Sequence, residues 1–272
     1  MPQLGDNKWG KSAVRVSKVV GGSGADTFLD VDVQVLLTGD VEAAYFDGDN
    51  SAVLPTDTTK NTIYALARDH LTEDLEGFAR RLAEHMIAKA GIWTASATVR
   101  SRRWERHTST GFVGGGPERR IARVSLGAES DETVAGIEGL VVLKTTGSAF
   151  TGFPHDEYTT LPEAEDRLLS TSISASWGYE PCPDDTTATW EAVRGLLLER
   201  FFEDWSASVQ HQGWQMAESV LSEVPEIASI TFSLPNQHHL AVDLARFGLS
   251  GSPAVFQPVS EPYGDIRFTV ER

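Results

Sequence analysis

The chain has one cysteine, Cys182, among 272 residues. An intrachain disulfide is therefore excluded, as is any CxxC metal or redox motif. A lone thiol suits a reducing compartment. Long apolar runs are missing too: nothing approaches the roughly 18 residues that a membrane-crossing helix needs. Positive charge is scarce, with 23 Lys and Arg against 39 Asp and Glu, a net charge of −16 and a pI of about 4.8. Such a balance argues against a nucleic-acid backbone as partner, since that ligand calls for a basic face. The first residues, Met1 to Lys11, contain no apolar core of a secretory signal. The last three, Val270-Glu271-Arg272, are not a peroxisomal address. A GxSxG elbow, an HExxH helix and a GxxxxGK[ST] loop are all absent. These absences set the expectation of a cytoplasmic protein without a metal centre, a membrane span or a nucleic-acid partner.

What is present is ordinary globular material, 40% hydrophobic and 23% charged, in a chain long enough to bury a sizeable core. From Ala13, Val14 and Val16 alternate with polar residues, and a small irregularity precedes Val19. After Gly21 to Gly24, Val31, Val33 and Val35 alternate with Asp30, Asp32 and Gln34. Period two around a Gly-rich break reads as a β-hairpin, and no helix follows the glycines to make them a phosphate loop. A helix is expected over Asp57 to Arg68, with Thr62, Ile63, Leu66 and Ala67 on one side. Another is expected over Glu73 to Lys89, with Leu75, Phe78, Leu82, His85 and Met86 at spacings of three and four and Thr72 as N-cap. Strands are expected over Ile92–Arg106, Arg119–Leu126 and Thr133–Leu143.

The same order then recurs. Leu168 to Tyr179 reads as extended. Thr189 to Phe202 and Ala207 to Val220 read as helices, the first with Trp190, Val193, Leu197 and Phe201 on one side. Ile227–Phe232 and Leu240–Leu244 read as strands. Glu73 and Ser206 open the two second helices, roughly 130 residues apart, too long a period for a solenoid but suited to a duplicated half. Hairpins with grouped helices argue for an α+β fold with an antiparallel sheet. Gly114–Gly116 and Glu180–Asp185 read as surface loops.

Three constellations could carry chemistry. In Val53 to Thr62, Thr56 or Asp57 at a helix start reads as a cap, with Lys60 and Asn61 on the solvated side; an anion could use the same N–H groups. Ser233 to His239 reads as a turn between strands. Adjacent His238 and His239 on a strand would face opposite ways and could not readily share a metal. A single inward His beside Asn236 suits proton handling or oxygen recognition, and equally a structural role. Phe150 to Arg167 offers an aromatic ring, hydroxyls and a guanidinium able to fork onto a planar oxyanion, and equally a surface ion pair.

Taken in order, these segments resemble the urate oxidase (uricase) family. The carrying residues are Trp9-Gly10-Lys11, Pro55 to Thr62, Leu143 to Phe150, Gly152-Phe153, Asp156 to Leu161, Asp166-Arg167, Ser208-Val209-Gln210, Ser233 to His238 and Pro262-Tyr263-Gly264. The resemblance spans about residues 8 to 271. It implies the tunnelling fold, two tandem ββααββ repeats over 8–135 and 136–272, with helices packed on the outer face of the sheet. It also implies a homotetramer with active sites between subunits. The implied reaction, part of purine catabolism, is oxidation of urate by O2 to 5-hydroxyisourate and hydrogen peroxide without a cofactor. By the same resemblance, Lys11, Thr56 and His238 form a proton relay. Arg167 and Gln210 bind urate, the N–H groups of Asp57 and Val209 add contacts, and Phe150 stacks on the purine. Asn236 with Thr56 holds O2 or water. Two departures from the family pattern, His155 and Gly178, fall outside the urate contacts. The alternative is a non-catalytic purine- or pterin-binding module of the same fold. Pterin-type relatives anchor their heterocycle on a Glu, whereas Arg167 and Gln210 match the urate set.

Overall fold

A computed structural model describes residues 2–21, 26–128, 130–249 and 255–272. In chain order the elements are β1 (Trp9–Val20), β2 (Thr27–Gly39), α1 (Glu42–Phe46), α2 (Thr56–His70), α3 (Leu75–Ile87), β3 (Ile92–Arg106), β4 (Phe112–Gly127) and β5 (Ser130–Lys144). Then follow β6 (Leu169–Tyr179), α4 (Thr186–Glu203), α5 (Val209–Glu223), β7 (Ile227–Ser233), β8 (Asn236–Ala241), a 3-10 turn (Ala245–Phe247), β9 (Phe256–Gly264) and β10 (Arg267–Glu271). The described strand pairs are antiparallel, and the class is α+β, as the grouped helices predict. The chain forms two compact units.

The first unit comprises Met1–Ile137 and Trp177–Trp190. Strands β1 to β4 pair in sequence order, with Val14 opposite Val33 and Val35 opposite Ala97. Val31, Val33, Val35 and Leu37 are fully buried, so the period-two pattern does mark the inner face. Helices α2 and α3 cover that face with Ile63, Ala67, Phe78, Leu82 and Met86. Fully burying one such side chain contributes about 1.5–3 kcal/mol, so this face carries much of the unit's stability.

Several sequence expectations shift here. Strand β1 begins at Trp9 rather than Ala13, because Gly10 and Lys11 already pair with Leu36 and Val35. The irregularity lies between Lys11 and Val14, where Ala13 takes a positive φ of 56°. A Cβ on Gly10 would lie 1.9 Å from the Val35 carbonyl oxygen, so the tryptophan–glycine–lysine motif needs its glycine for close strand approach. The cap of α3 is Asp74, which accepts from the Gly77 N–H at 2.8 Å, not Thr72, whose hydroxyl accepts from the Asp74 N–H instead. Gly114–Gly116 lie within β4 rather than in a loop, because the strand runs on past a register shift near Arg102 to pair Gly114 with Trp104. Of the expected Gly21–Gly24 turn, Gly22 to Gly24 lie outside the described residues.

The second unit comprises Glu138–Ser176 and Glu191–Arg272. Its strand order is β5-β6-β7-β10, with β8 paired to β6 and β9 paired to β8. Helix α5 packs on β7 and β10, burying Met216, Ala217 and Val220 among Ile230 and Phe232. The strand expected over Leu240–Leu244 instead runs over Asn236–Ala241. Pro235 lacks an N–H donor and confines the turn to the residues before Asn236.

Candidate active site

The residues expected at the site fall into two groups, one in each unit. In the first unit, Thr56 and Asp57 are the first two residues of α2. Pro55 is the N-cap, and no side chain caps the helix. The expected Thr56 or Asp57 cap is therefore not formed. Proline's fixed φ, −58° here, already suits a helix start. The Asp57 carboxylate turns outward to Lys60 and to Asn61, the latter at 3.0 Å. That Lys60 hydrogen bond and charge hold Asp57 below the usual carboxylate range, and the Lys11 charge adds to the effect. Lys11 reaches this neighbourhood because Trp9, two residues earlier, donates its indole N–H to the Leu54 carbonyl at 3.1 Å. Strand β1 is thus tied to the segment that opens α2.

In the second unit, Phe150, Arg167, Asn236 and His238 border one cavity of about 710 Å³. A backbone frame holds the first two. Phe150 and Ala164 exchange N–H···O bonds of 2.7 and 3.0 Å, and the Arg167 N–H donates to the Ser148 carbonyl at 2.7 Å. The Asp166 carboxylate accepts from the Thr146 hydroxyl and from the N–H groups of Gly147 and Ser148 at 2.8 and 3.3 Å. These bonds, the Thr146 one foremost, pull Asp166 below the usual carboxylate range.

With Asp166 so engaged, Arg167 has no carboxylate partner for its guanidinium among the described residues. Its guanidinium makes no ion pair among the described residues, so the surface-bridge alternative does not apply. Its Nε is buried without a hydrogen-bond acceptor. Burial lowers its affinity for a proton, although guanidinium stays charged at any working pH. The guanidinium carbon lies 5.1 Å from the Phe150 ring centroid. Phe150 stacks on Phe153 at 4.7 Å, and Phe153 stacks on His155 at 4.9 Å. An unpaired half-buried cation beside an aromatic plate is a receptor for a flat anion.

Asn236 and His238 enter the cavity from β8, where Asn236 pairs with Thr171 and His238 with Val259. His239 also borders this cavity; His238 and His239 pair in regular succession with Val259 and Pro258, so strand alternation holds between them, and the register shift lies before His238. The His239 Nδ1 is buried without a partner. Among the described residues no group of three or more His, Cys, Asp or Glu is arranged to hold a metal ion. Val209 and Gln210 open α5 behind the Ser208 cap, and neither borders the Phe150 cavity. Gln210 instead lines a second hollow of about 420 Å³ with Trp214 and Asp265 to Phe268. Residue reading alone assigned no role to Asp166 or Phe153; an Asp directly before Arg167, and a ring three residues after Phe150, were the available signals.

A sequence model of the family described as Uricase matches residues 7–125 and 133–267. The chain belongs to the uricase family. It is 41% identical to a uricase from Arthrobacter globiformis over 99% of this chain and 90% of that protein. Identity to a Dictyostelium discoideum uricase is 35%, over 100% and 98% of the two chains. The crystal structure of the Arthrobacter globiformis uricase superposes with a TM-score of 0.95 at 40% identity, covering 100% of this chain and 96% of that one. A urate oxidase structure from Bacillus sp. TB-90, 22% identical, shares the fold at a TM-score of 0.85 over 98% and 100% of the chains. The resemblance to uricases seen in the sequence thus extends through the backbone. Among the described residues no helix is long and apolar enough to cross a membrane.

Proposed function

We propose that the protein oxidises urate with O2 to 5-hydroxyisourate and hydrogen peroxide, without a cofactor, at sites shared between subunits of a homotetramer. The observation that carries this reading is Arg167. In a uricase-family chain, its guanidinium is unpaired and half-buried beside the Phe150 ring. Urate is a flat anion with adjacent oxygen and nitrogen acceptors, which a guanidinium can engage by two parallel bonds. Phe150 supplies area for the purine face and excludes water.

Urate gives up two electrons in this reaction. O2 takes them with two protons to become peroxide, and a water oxygen ends on the purine as the 5-hydroxyl. An electron-rich urate dianion can reduce O2 directly, so the protein's tasks are deprotonation, positioning and exclusion of solvent. Lys11 and Thr56 start the relay, and the Trp9 tether that brings β1 beside Leu54 supports their pairing. His238 continues it, and Asn236 beside it in the cavity polarises O2 or water. Gln210 and the Val209 and Asp57 N–H groups complete the substrate's edges. Thr56 and Asp57 come from one subunit, and Phe150, Arg167, Val209 and Gln210 from its neighbour.

Each half runs two strands, then helices that include a long pair (α2–α3, α4–α5), then strands again, although the first half adds the short α1 and the second ends in four strands; this recurrence supports reading 8–135 and 136–272 as tandem repeats. The single cysteine, Cys182, which is exposed, suits a reducing cytoplasm. Purified protein mixed with urate in oxygenated buffer is expected to bleach the ultraviolet band of urate. A persistent band at all urate concentrations would refute the reading.

A further inference from the structure

We propose that Lys144 is a positioning residue that sets the first turn of α5, with Val209 and Gln210, against the segment leading to Phe150. The inference rests on the urate-binding reading above, and concerns a buried cation to which that reading gives no task.

Lys144 ends β5 and is 7% exposed. Its ammonium donates to the Gln212 side-chain oxygen at 2.6 Å and to the Asp204 carbonyl at 2.8 Å, and lies 5.5 Å from the Phe201 ring centroid. Gln212 is itself buried and donates through Nε2 to the Arg200 carbonyl at 2.8 Å. Those carbonyls belong to the end of α4, where a positive charge meets the negative end of the helix dipole. One ammonium therefore ties together the end of α4, the loop after it and the first turns of α5. Gln212 lies two and three residues beyond the proposed urate contacts Gln210 and Val209.

The segment that follows Lys144 is equally fixed. Ser206 donates its N–H to the Gly147 carbonyl at 3.0 Å, and Ala149 donates to the Ser206 carbonyl at 2.8 Å. Ser148 and Ser206 are both fully buried at this bridge. Phe150 follows two residues later, and Arg167 hangs on Ser148. The two halves of the proposed urate-binding set in this unit thus share one hydrogen-bonded junction, and Lys144 is its charged member. Burial lowers the Lys144 pKa, with the Asp204 and Asp166 charges opposing the shift. An aliphatic side chain would fill the same space without that cost, so the ammonium's hydrogen bonds account for its presence.

The test compares Lys144→Met, Gln212→Leu and the conservative Gln212→Glu in the full-length protein. Xanthine, which shares the pyrimidine edge of urate, serves as a non-oxidised binding probe beside urate kinetics. Lys144→Met and Gln212→Leu should each raise the xanthine Kd and the urate KM about tenfold or more. Their kcat at saturating urate should stay within about threefold, because Lys11, Thr56 and His238 make none of the junction's bonds. Gln212→Glu keeps an acceptor for the ammonium but loses the donor to the Arg200 carbonyl, so its affinity should fall between those of wild type and Gln212→Leu. Should Lys144→Met fail to fold, the two Gln212 variants read the same junction. Unchanged Kd and KM in folded Gln212→Leu, or a fall in kcat with KM intact, would overturn the proposal. Wild-type protein that neither binds xanthine nor oxidises urate would instead refute the functional reading beneath it.

Discussion

Replacing Arg167 by Ala separates binding from folding more cleanly than any other single change. The native guanidinium makes no ion pair among the described residues, and its Nε is buried without an acceptor, so removing it leaves no protein group newly unpaired. What folding loses is packing beside Phe150, a cation–π contact worth about 0.5–2 kcal/mol, offset by relief of a buried unsatisfied N–H at about 1–3 kcal/mol. The melting temperature should therefore stay within a few degrees of wild type. Binding should suffer far more. Truncating one partner of a buried charged pair costs about 2–5 kcal/mol. Because Arg167 is part-exposed, the lower half of that range applies, about 2–3.5 kcal/mol, or roughly 30- to 400-fold in KM. Arg167→Lys keeps the charge and loses the fork, so it should fall between. Thermal melts, xanthine titration and steady-state urate kinetics on the three proteins suffice. A large loss of stability with xanthine affinity unchanged would show that Arg167 is a structural residue, and the argument from its missing partner would be wrong.

Other expectations follow from the same geometry. Lys11→Ala and Thr56→Ala should each slow the chemical step by about 10²–10⁴-fold, and the double variant scarcely further; multiplicative losses in stopped-flow kinetics would rule out a shared relay. Inactive Thr56→Ala and Arg167→Ala chains, exchanged into mixed assemblies, should recover part of the activity if the site is shared, and none if each chain builds its own. The Asp166 carboxyl is held low in the folded state, so its stabilisation is complete above the unfolded value of about 3.9 and is lost as pH falls through the lower folded value. The melting-temperature gap between wild type and Asp166→Ala should accordingly narrow as acid is added from pH 6 to below pH 3, and a pH-independent gap would exclude this linkage. Asp74→Ala removes the α3 cap and its bond from Thr186, and should cost about 1–2 kcal/mol in urea unfolding with no change in KM.

Much of this was legible in residue order alone. Val31, Val33 and Val35 announce a half-buried strand by period two, and Phe78, Leu82 and Met86 announce a helix by spacing; both faces are buried as their patterns require. Boundaries were less legible, because local signals compete. Thr72 and Asp74 are both good caps, and the choice falls to the one whose carboxylate reaches the Gly77 N–H. Asn236 to His239 look like turn residues after a proline, yet they pair with Thr171 and Val259, a tertiary fact that no local pattern carries. The candidate site residues rest on motif resemblance, since Arg167 and Asn236 are far apart in sequence and meet only at a cavity. The Asp166 frame and the buried Lys144 junction were invisible for the same reason: each depends on backbone groups tens of residues away.

The most direct test of the central claim is a three-way stoichiometry on protein dialysed against chelator and checked for residual metal. Urate loss, O2 uptake and peroxide release are followed together in a closed cell. Oxidation by O2 at a site built from Lys11, Thr56, Arg167 and His238 alone predicts one O2 consumed and one peroxide released per urate, at the rate of the undialysed protein. Activity that disappears on dialysis and returns with added copper or iron would contradict it, as would urate loss without peroxide.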